Sequence, residues 1–169
     1  MNTDPSAEWE QRCAALWDAF DDHDPADFRS MIKELTSELP ADHPVAHFEQ
    51  ASAYDATDMG VEAVDLYRMA LSGGLGNGRR RQAVIQMAST LRTLGDPTTS
   101  ADMLLAERSN GSDDLDDAVI AFLALALVDL GREREAAALA LGALVRHLPS
   151  YTRSLTAYIE AMTESPTVQ

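Results

Sequence analysis

The stretch that decides the fold runs from Ile120 to Leu144 and reads IAFLALALVDLGREREAAALALGAL. It contains two apolar segments of helical length, separated by Gly131 and a short charged run. Helices end readily at a glycine, and a short connection returns the chain antiparallel to itself. Neither segment has the two-residue alternation of a strand. The stretch therefore predicts a helical hairpin.

The same helical pattern extends through the rest of the chain. Near the N-terminus, one apolar stripe at helical spacing is formed by Trp9, Cys13, Leu16, Trp17 and Phe20. An N-cap residue followed by proline is typical of a helix start. Such starts occur at Asp24-Pro25, Asp42-His43-Pro44 and Asp96-Pro97. We expect an all-α protein of about eight or nine helices.

Glycines mark the predicted connections between these helices. Four of the six residues from Gly73 to Gly78 are glycines, and this composition predicts a loop. Arg79 to Leu94 is then the fifth predicted helix, and Gly60 is a further break. A seventh helix is predicted to be capped by Asp113 or Asp114. The helices therefore come in pairs.

The pairs recur at a regular interval. Gly95 and Gly131 are 36 residues apart, and Ala63, Ala101 and Ala136 are separated by 38 and 35 residues. A helix-turn-helix unit with a period near 34 residues is typical of the tetratricopeptide repeat. Small residues at such positions let two helices approach to about 8–10 Å, which gives the spacing a physical basis.

Two pairs resemble the tetratricopeptide repeat at its small and aromatic positions, and a middle pair fits less well, with Arg108 in place of an alanine. The residues 63–71, AVDLYRMAL, and 79–86, RRRQAVIQ, also resemble a family of short tetratricopeptide-repeat proteins common in actinobacteria. The resemblance covers about residues 40–163. It implies an α-α superhelix of helical hairpins whose first helices line a concave, protein-binding surface. The matching positions are Ala51, Tyr54, Ala63, Tyr67, Ala70, Ala88, Leu91, Gly95, Ala101, Leu123, Ala124, Leu127, Gly131, Ala136, Ala143 and Leu144.

The domain organisation follows from this reading. The length of 169 residues fits one domain. We expect an N-terminal helical pair over residues 5–39, the repeats over 43–163 and a frayed tail over 164–169. The N-terminus lacks the order of a signal peptide, and there is no run of 18 apolar residues, so we expect a cytoplasmic protein.

The charge of the chain narrows the class of partner. There are 28 acidic and 13 basic side chains, a formal net charge of −15. Residues 1–65 hold 16 acids against 3 basic residues, so most of the excess lies in the first part of the chain. Such a surface repels nucleic-acid phosphates and anionic lipids. We expect neither a nucleic acid nor a membrane as partner.

The chemistry-bearing residues do not form a recognisable catalytic or metal site. His43 and His47 have a chelating i, i+4 spacing, but the proline after His43 disfavours helical geometry there. Cys13, the only cysteine, lies on the apolar stripe, where burial raises a thiol pKa. No nucleophile elbow, phosphate-binding loop or zinc-protease motif occurs. We expect no enzymatic activity, metal or cofactor.

One face of the fifth predicted helix forms a candidate groove. Arg81 and Arg92 are 11 residues apart, which returns them to the same face, with Ile85 and Ser89 between them. This face suits an extended peptide with an apolar anchor and a carboxylate. Alternatively, the arginines pair with neighbouring acids such as Asp55 or Asp129. The full predicted partner-binding groove consists of Phe48, Ser52, Asp55, Arg81, Ile85, Ser89 and Arg92.

The arginine run Arg79–Arg81 forms a second candidate site. The helix dipole opposes each cation at a helix start by about 0.3–1 kcal/mol, so three arginines there need an explanation. One explanation is an anion site made by backbone N–H groups and the guanidinium groups of Arg79, Arg80 and Arg81. The other is that the arginines pair with the acidic N-terminal helices.

These observations favour a non-enzymatic scaffold or adaptor that binds a protein or peptide on its concave surface. An alternative is a regulatory protein that binds an anion or small ligand at Arg79–Arg81. A third possibility is a structural subunit whose concave face is filled by its own N-terminal helices. A homodimer through the helices of Trp9 and Trp17 is a further option.

Overall fold

The computed structural model describes residues 4–164, except for the side chain of Asn77, and within them it contains nine α-helices and no strand. The all-α class is therefore confirmed. A 3-10 turn, Phe20–Asp22, follows the first helix. Residues 165–169, which hold most of the predicted frayed tail, lie outside the described residues. The helices are α1 (Ala7–Asp18), α2 (Pro25–Thr36), α3 (Pro44–Asp55), α4 (Gly60–Ser72), α5 (Asn77–Thr93), α6 (Pro97–Arg108), α7 (Asp116–Asp129), α8 (Glu133–Val145) and α9 (Thr152–Thr163).

The chain divides into two compact units, Met1–Thr90 and Leu91–Gln169. In the first unit, α3 packs against α4 and α2 against α3. In the second unit, α6 packs against α7, α7 against α8 and α8 against α9. The single domain over residues 1–169 stays a prediction.

Three helices begin at the cap-and-proline pairs that predicted them. The proline at the first helical position needs no N–H partner, and the residue before it adopts extended backbone. At α3, His43 has φ −67° and ψ 126°, and its Nδ1 accepts a hydrogen bond from the Val45 N–H at 3.2 Å. Asp24 caps α2 by accepting the Ala26 N–H, and Asp96 caps α6 by accepting the Thr99 N–H.

Two predicted boundaries at α5 and α7 were wrong. The helix α5 begins at Asn77 instead of Arg79, so the loop from Gly73 ends at Gly76. The Arg80 N–H donates to the Gly76 carbonyl at 2.8 Å, and the buried Leu75 anchors the chain before this turn. The helix α7 begins later than predicted, because the carboxylate of Asp116 accepts bonds from the preceding turn.

Phe20 also departs from the predicted first helix. The helix α1 ends at Asp18, and the 3-10 turn carries Phe20 onto Phe28 of α2, with ring centroids 4.8 Å apart and nearly perpendicular planes. Trp17 contacts Phe28 edge-on at 5.0 Å. These rings pack on the buried Ile32 and Ala53, which joins the N-terminal helices to α3.

The hairpin turns share one backbone geometry. Gly131 has φ 71° and donates its N–H to the Val128 carbonyl, while the Arg132 N–H donates to the Leu127 carbonyl at 2.8 Å. This pair of bonds satisfies carbonyls at the end of a helix and requires a left-handed residue. Gly95 has φ 93° with the equivalent bonds.

The alanines that mark the repeat interval are buried at helix crossings. Ala63 is fully buried in the first unit, and Ala101 and Ala136 are buried in the second. Tyr67, also fully buried, lies one turn after Ala63 on α4 and tilts against Phe48 of α3, with centroids 6.4 Å apart. These three alanines and Tyr67 therefore have the packing role that the sequence predicted, whereas Tyr54 and Ala143 are half-buried and Leu144 is exposed.

Candidate partner-binding face and arginine cluster

The predicted groove residues differ in their accessibility. The structure buries four of the seven, Phe48, Ser52, Arg81 and Ile85. The other three are half-buried: Asp55, Ser89 and Arg92. These three side chains are therefore the partly accessible members of the predicted set.

Asp55 joins three helices of the first unit. Its carboxylate accepts bonds from the Thr90 hydroxyl at 2.8 Å and from the Tyr67 hydroxyl at 3.3 Å. Burial raises the pKa of Asp55, and these two hydrogen bonds act in the opposite direction. The pKa of Tyr67 is raised by its own burial and by the charge of Asp55. One turn earlier on α3, the Ser52 hydroxyl contacts the Gln86 side-chain oxygen at 3.3 Å.

Arg92 forms an ion pair within the second unit. Its Nη1 donates to the Asp129 carboxylate of α7 at 2.8 Å. Asp129 is one of the two acids that the sequence suggested as its partner. The Arg92 side chain remains 22% exposed and that of Asp129 40% exposed, so the pair is open to exchange with another carboxylate.

Arg79 holds two carboxylates from the N-terminal part of the chain. Its Nη1 and Nη2 donate to the two oxygens of Glu10 on α1 at 2.9 and 2.5 Å. Its Nε donates to Glu49 of α3 at 3.2 Å. The hydrogen bonds to Glu10 are the main cause that raises the pKa of Arg79. Arg79, the first arginine of the run, therefore pairs with acids of the same chain. This is the second of the two explanations that the sequence offered for the run.

Sequence reasoning missed Glu49, the carboxylate at the centre of this cluster. Its side chain is 7% exposed, and it accepts a bond from the Trp17 indole N–H at 2.9 Å besides the one from Arg79. One signal was available: Glu49 is the only acid within residues 44–54, an otherwise apolar or neutral part of α3.

The histidines and the cysteine have structural surroundings. His43 caps α3, and the Nε2 of His47 lies 3.9 Å from an Asp42 oxygen. Cys13 is buried, and that burial, with the nearby Glu49 charge, raises its thiol pKa to about 12. Between residues 4 and 164, no group of three or more histidine, cysteine, aspartate or glutamate side chains is arranged to hold a metal.

Comparison with known proteins gives one match. The model of the family described as "Tetratrico peptide repeat" matches residues 44–162, from the first residue of α3 into α9. The match leaves out α1 and α2. Neither the curated proteins nor the solved structures gave a match. In the part of the chain that the structure describes, every helix is too short or too polar to cross a bilayer.

Proposed function

Because the chain belongs to the tetratricopeptide repeat family, we propose that it is a non-enzymatic scaffold that binds a protein or peptide partner. The observation that carries this proposal is the family match over residues 44–162. Repeats of this kind stack helical hairpins and present the resulting surface to partners. The three turns between the paired helices, at Asp58, Gly95 and Gly131, have the left-handed backbone that such hairpins need.

We propose that the exposed part of α5 receives a carboxylate of the partner. Arg92 presents a guanidinium group whose present partner, Asp129, is itself partly exposed. A planar guanidinium binds a carboxylate through two parallel hydrogen bonds, so a peptide C-terminus or an acidic side chain is a suitable ligand.

The test compares the two members of this ion pair. A peptide library with free C-termini is screened against the full chain, and the selected peptide is titrated by fluorescence anisotropy. Arg92→Ala should raise the Kd about tenfold, the loss of one charge-assisted interaction. Asp129→Ala, the matched control, breaks the same pair but keeps the cation, and it should leave the Kd unchanged or lower it.

A different pattern would contradict this site. If both variants bind the peptide as the wild type does while both lower the melting temperature, the pair is a scaffold contact alone. If the peptide binds as tightly when its C-terminus is amidated and its acidic side chains are replaced by the corresponding amides, Arg92 does not bind a carboxylate of the partner.

The net charge of the chain limits the class of partner that it can bind. We propose that the partner is neither a nucleic acid nor an anionic membrane, because the excess of 15 negative charges repels both. We further propose a cytoplasmic location and a bacterial source.

The tryptophans suggested for a homodimer already donate their indole N–H groups within the chain, Trp9 to the Leu35 carbonyl and Trp17 to Glu49.

A further inference from the structure

The helix α1 presents a carboxylate and an indole to the same surface. Glu10 and Trp17 are seven residues apart, two helical turns, so they lie on one face about 10.5 Å apart. Glu10 accepts hydrogen bonds from the Arg79 guanidinium group, and Trp17 donates its indole N–H to the Glu49 carboxylate. Cys13, between them on that face, is buried. The surface on which α1 lies therefore has a cation and a buried acceptor at defined positions.

We propose that the surface formed by Arg79 and Glu49 is a helix-binding site, and that α1 occupies it in place of a partner helix. The partner is an amphipathic helix that carries a carboxylate and, seven residues later, a tryptophan. Arg79 binds the carboxylate, and Glu49 accepts the indole N–H. This inference rests on the proposed function and names the class of partner for the first unit of the chain.

Two properties of α1 favour its detachment from the rest of the unit. The helix has 12 residues, a length at which an isolated helix is marginal in water, and its buried side chains are Trp9 and Cys13. An open cleft of about 420 Å³ separates part of α1 from α2, lined by Leu16 of the first helix and by Met31 and Leu35 of the second. The exposed pair of Arg12 and Glu38 closes the rim of this cleft.

The position of α1 outside the repeats is a second argument. The family match begins at residue 44, so the surface of α3 and α5 belongs to the matched region and α1 does not. Of the side chains that α1 contacts on this surface, Arg79 and Glu49 are charged, and water can solvate them when the helix leaves. Trp17 also packs against the buried Phe28, Ile32 and Ala53, and the partner's tryptophan would replace it there. An incoming helix with the same two groups would restore every hydrogen bond that α1 makes to Arg79 and Glu49.

The first experiment measures whether α1 opens in the full, unmodified chain. In native-state hydrogen exchange, the α1 amides from Cys13 to Asp18 should exchange at least tenfold faster than the α3 amides from Phe48 to Ala53, which reports local opening. Exchange of both sets at one common rate would mean that α1 leaves only when the whole unit unfolds. That result would overturn the proposal.

The second experiment supplies the helix from outside. A fluorescent peptide of residues 4–22 is titrated into the full-length wild type and into the full-length double variant Glu10→Gln/Trp17→Phe. The peptide should bind the double variant at least tenfold more tightly, because the variant's own α1 no longer competes. A peptide carrying both substitutions should bind the double variant at least tenfold more weakly than the wild-type peptide. Glu8→Gln, an exposed neighbour on α1, is the control variant and should behave as the wild type.

The outcomes separate this inference from the proposed function. Equal peptide binding by wild type and double variant overturns the helix-binding site, whereas the Arg92 test can still succeed. Sedimentation of the wild type as a dimer with exchanged α1 helices would also overturn it, because the occupant would then be a second copy. If the double variant does not fold, the exchange rates of the wild type decide.

Discussion

Asp58 performs, at the residue scale, the role that glycine has in the later hairpins. It lies in the turn between α3 and α4 with φ 61°, and the Met59 N–H donates to the Tyr54 carbonyl at 2.9 Å. The left-handed backbone costs an ordinary L-residue about 1–2 kcal/mol, and aspartate is among the residues that tolerate it best. The turn is therefore formed with some strain at one exposed position.

We expect Asp58→Gly to stabilise the chain. Relief of the left-handed strain exceeds the added entropy of glycine in the unfolded state, so the free energy of unfolding should rise by about 0.5–1 kcal/mol. Urea denaturation followed by circular dichroism measures this. The matched control is Gly131→Ala, where a Cβ would meet no atom within 4 Å and only the φ of 71° opposes it. That variant should lose about 1 kcal/mol, and no change in either variant would contradict the argument.

We expect Ala63→Leu and Ala136→Leu to destabilise the chain. Both alanines are buried at helix crossings, so a larger side chain forces the helices apart, at a cost of about 1–3 kcal/mol. Ala140→Leu is the control, because Ala140 is exposed on the same helix as Ala136. Thermal unfolding checks all three. An unchanged melting temperature for both buried sites would count against their role in packing.

At the element scale, the N-cap of α6 has a defined pH dependence. The Thr99 N–H donates to Asp96 Oδ1 at 3.0 Å, and this bond lowers the pKa of Asp96 below its ordinary value of 3.8. The folded chain therefore binds the Asp96 proton less tightly than the unfolded chain. The stabilisation is complete above the unfolded pKa and is lost as the pH falls through the folded pKa.

We expect Asp96→Ala to lower the urea midpoint at pH 7, because the first turn of α6 loses its acceptor. The difference in urea midpoint between the wild type and Asp96→Ala should become smaller as the pH falls below about 4. Asp96→Asn keeps an acceptor without the titration, so its gap from Asp96→Ala should not change with pH. If the difference in urea midpoint between the wild type and Asp96→Ala stays constant down to about pH 3, the carboxylate is not the stabilising species.

The sequence was informative about the elements where local chemistry decides them. The starts of α2, α3 and α6 follow from a cap residue and a proline, which act within one turn. The start of α5 could not be predicted in this way. Glycine disfavours a helix by about 1 kcal/mol, yet Gly78 lies in α5, because the buried Leu75 fixes the chain just before it.

The candidate sites depended more on contacts between distant parts of the chain. The stripe of Arg81 and Arg92 could be placed on one helix from spacing alone, but its burial could not. Glu49 acquires its role from Trp17 and Arg79, which are 32 and 30 residues away. No local pattern reports such a meeting of helices, so only the three-dimensional structure reveals it.

At the scale of the whole molecule, charge repulsion is concentrated in the first part of the chain. Residues 1–65 carry 16 acids against 3 basic residues. The pairs of Arg79 with Glu10 and of Arg12 with Glu38 offset a fraction of this excess. The remaining acids repel one another, and this repulsion weakens as the ionic strength rises.

We therefore expect salt to stabilise the protein. Raising the ionic strength from about 0.01 M to about 0.15 M should raise the melting temperature by about 2–4 °C. The variant Asp18→Asn/Asp22→Asn removes two exposed acids, so its melting temperature should depend less on salt. Scanning calorimetry measures both. A melting temperature that falls with salt would mean that attraction within ion pairs outweighs the repulsion.

Both tryptophans of the chain, Trp9 and Trp17, lie in α1. One indole is buried against α2, and the other is half-buried against Glu49 and the phenylalanine rings. The environment of both indoles therefore depends on where this one helix lies. Tryptophan fluorescence is therefore a local optical probe of α1 and of its contacts with α2 and α3. A shift of its emission to longer wavelength without loss of helical ellipticity would be the spectral signature of α1 alone entering water.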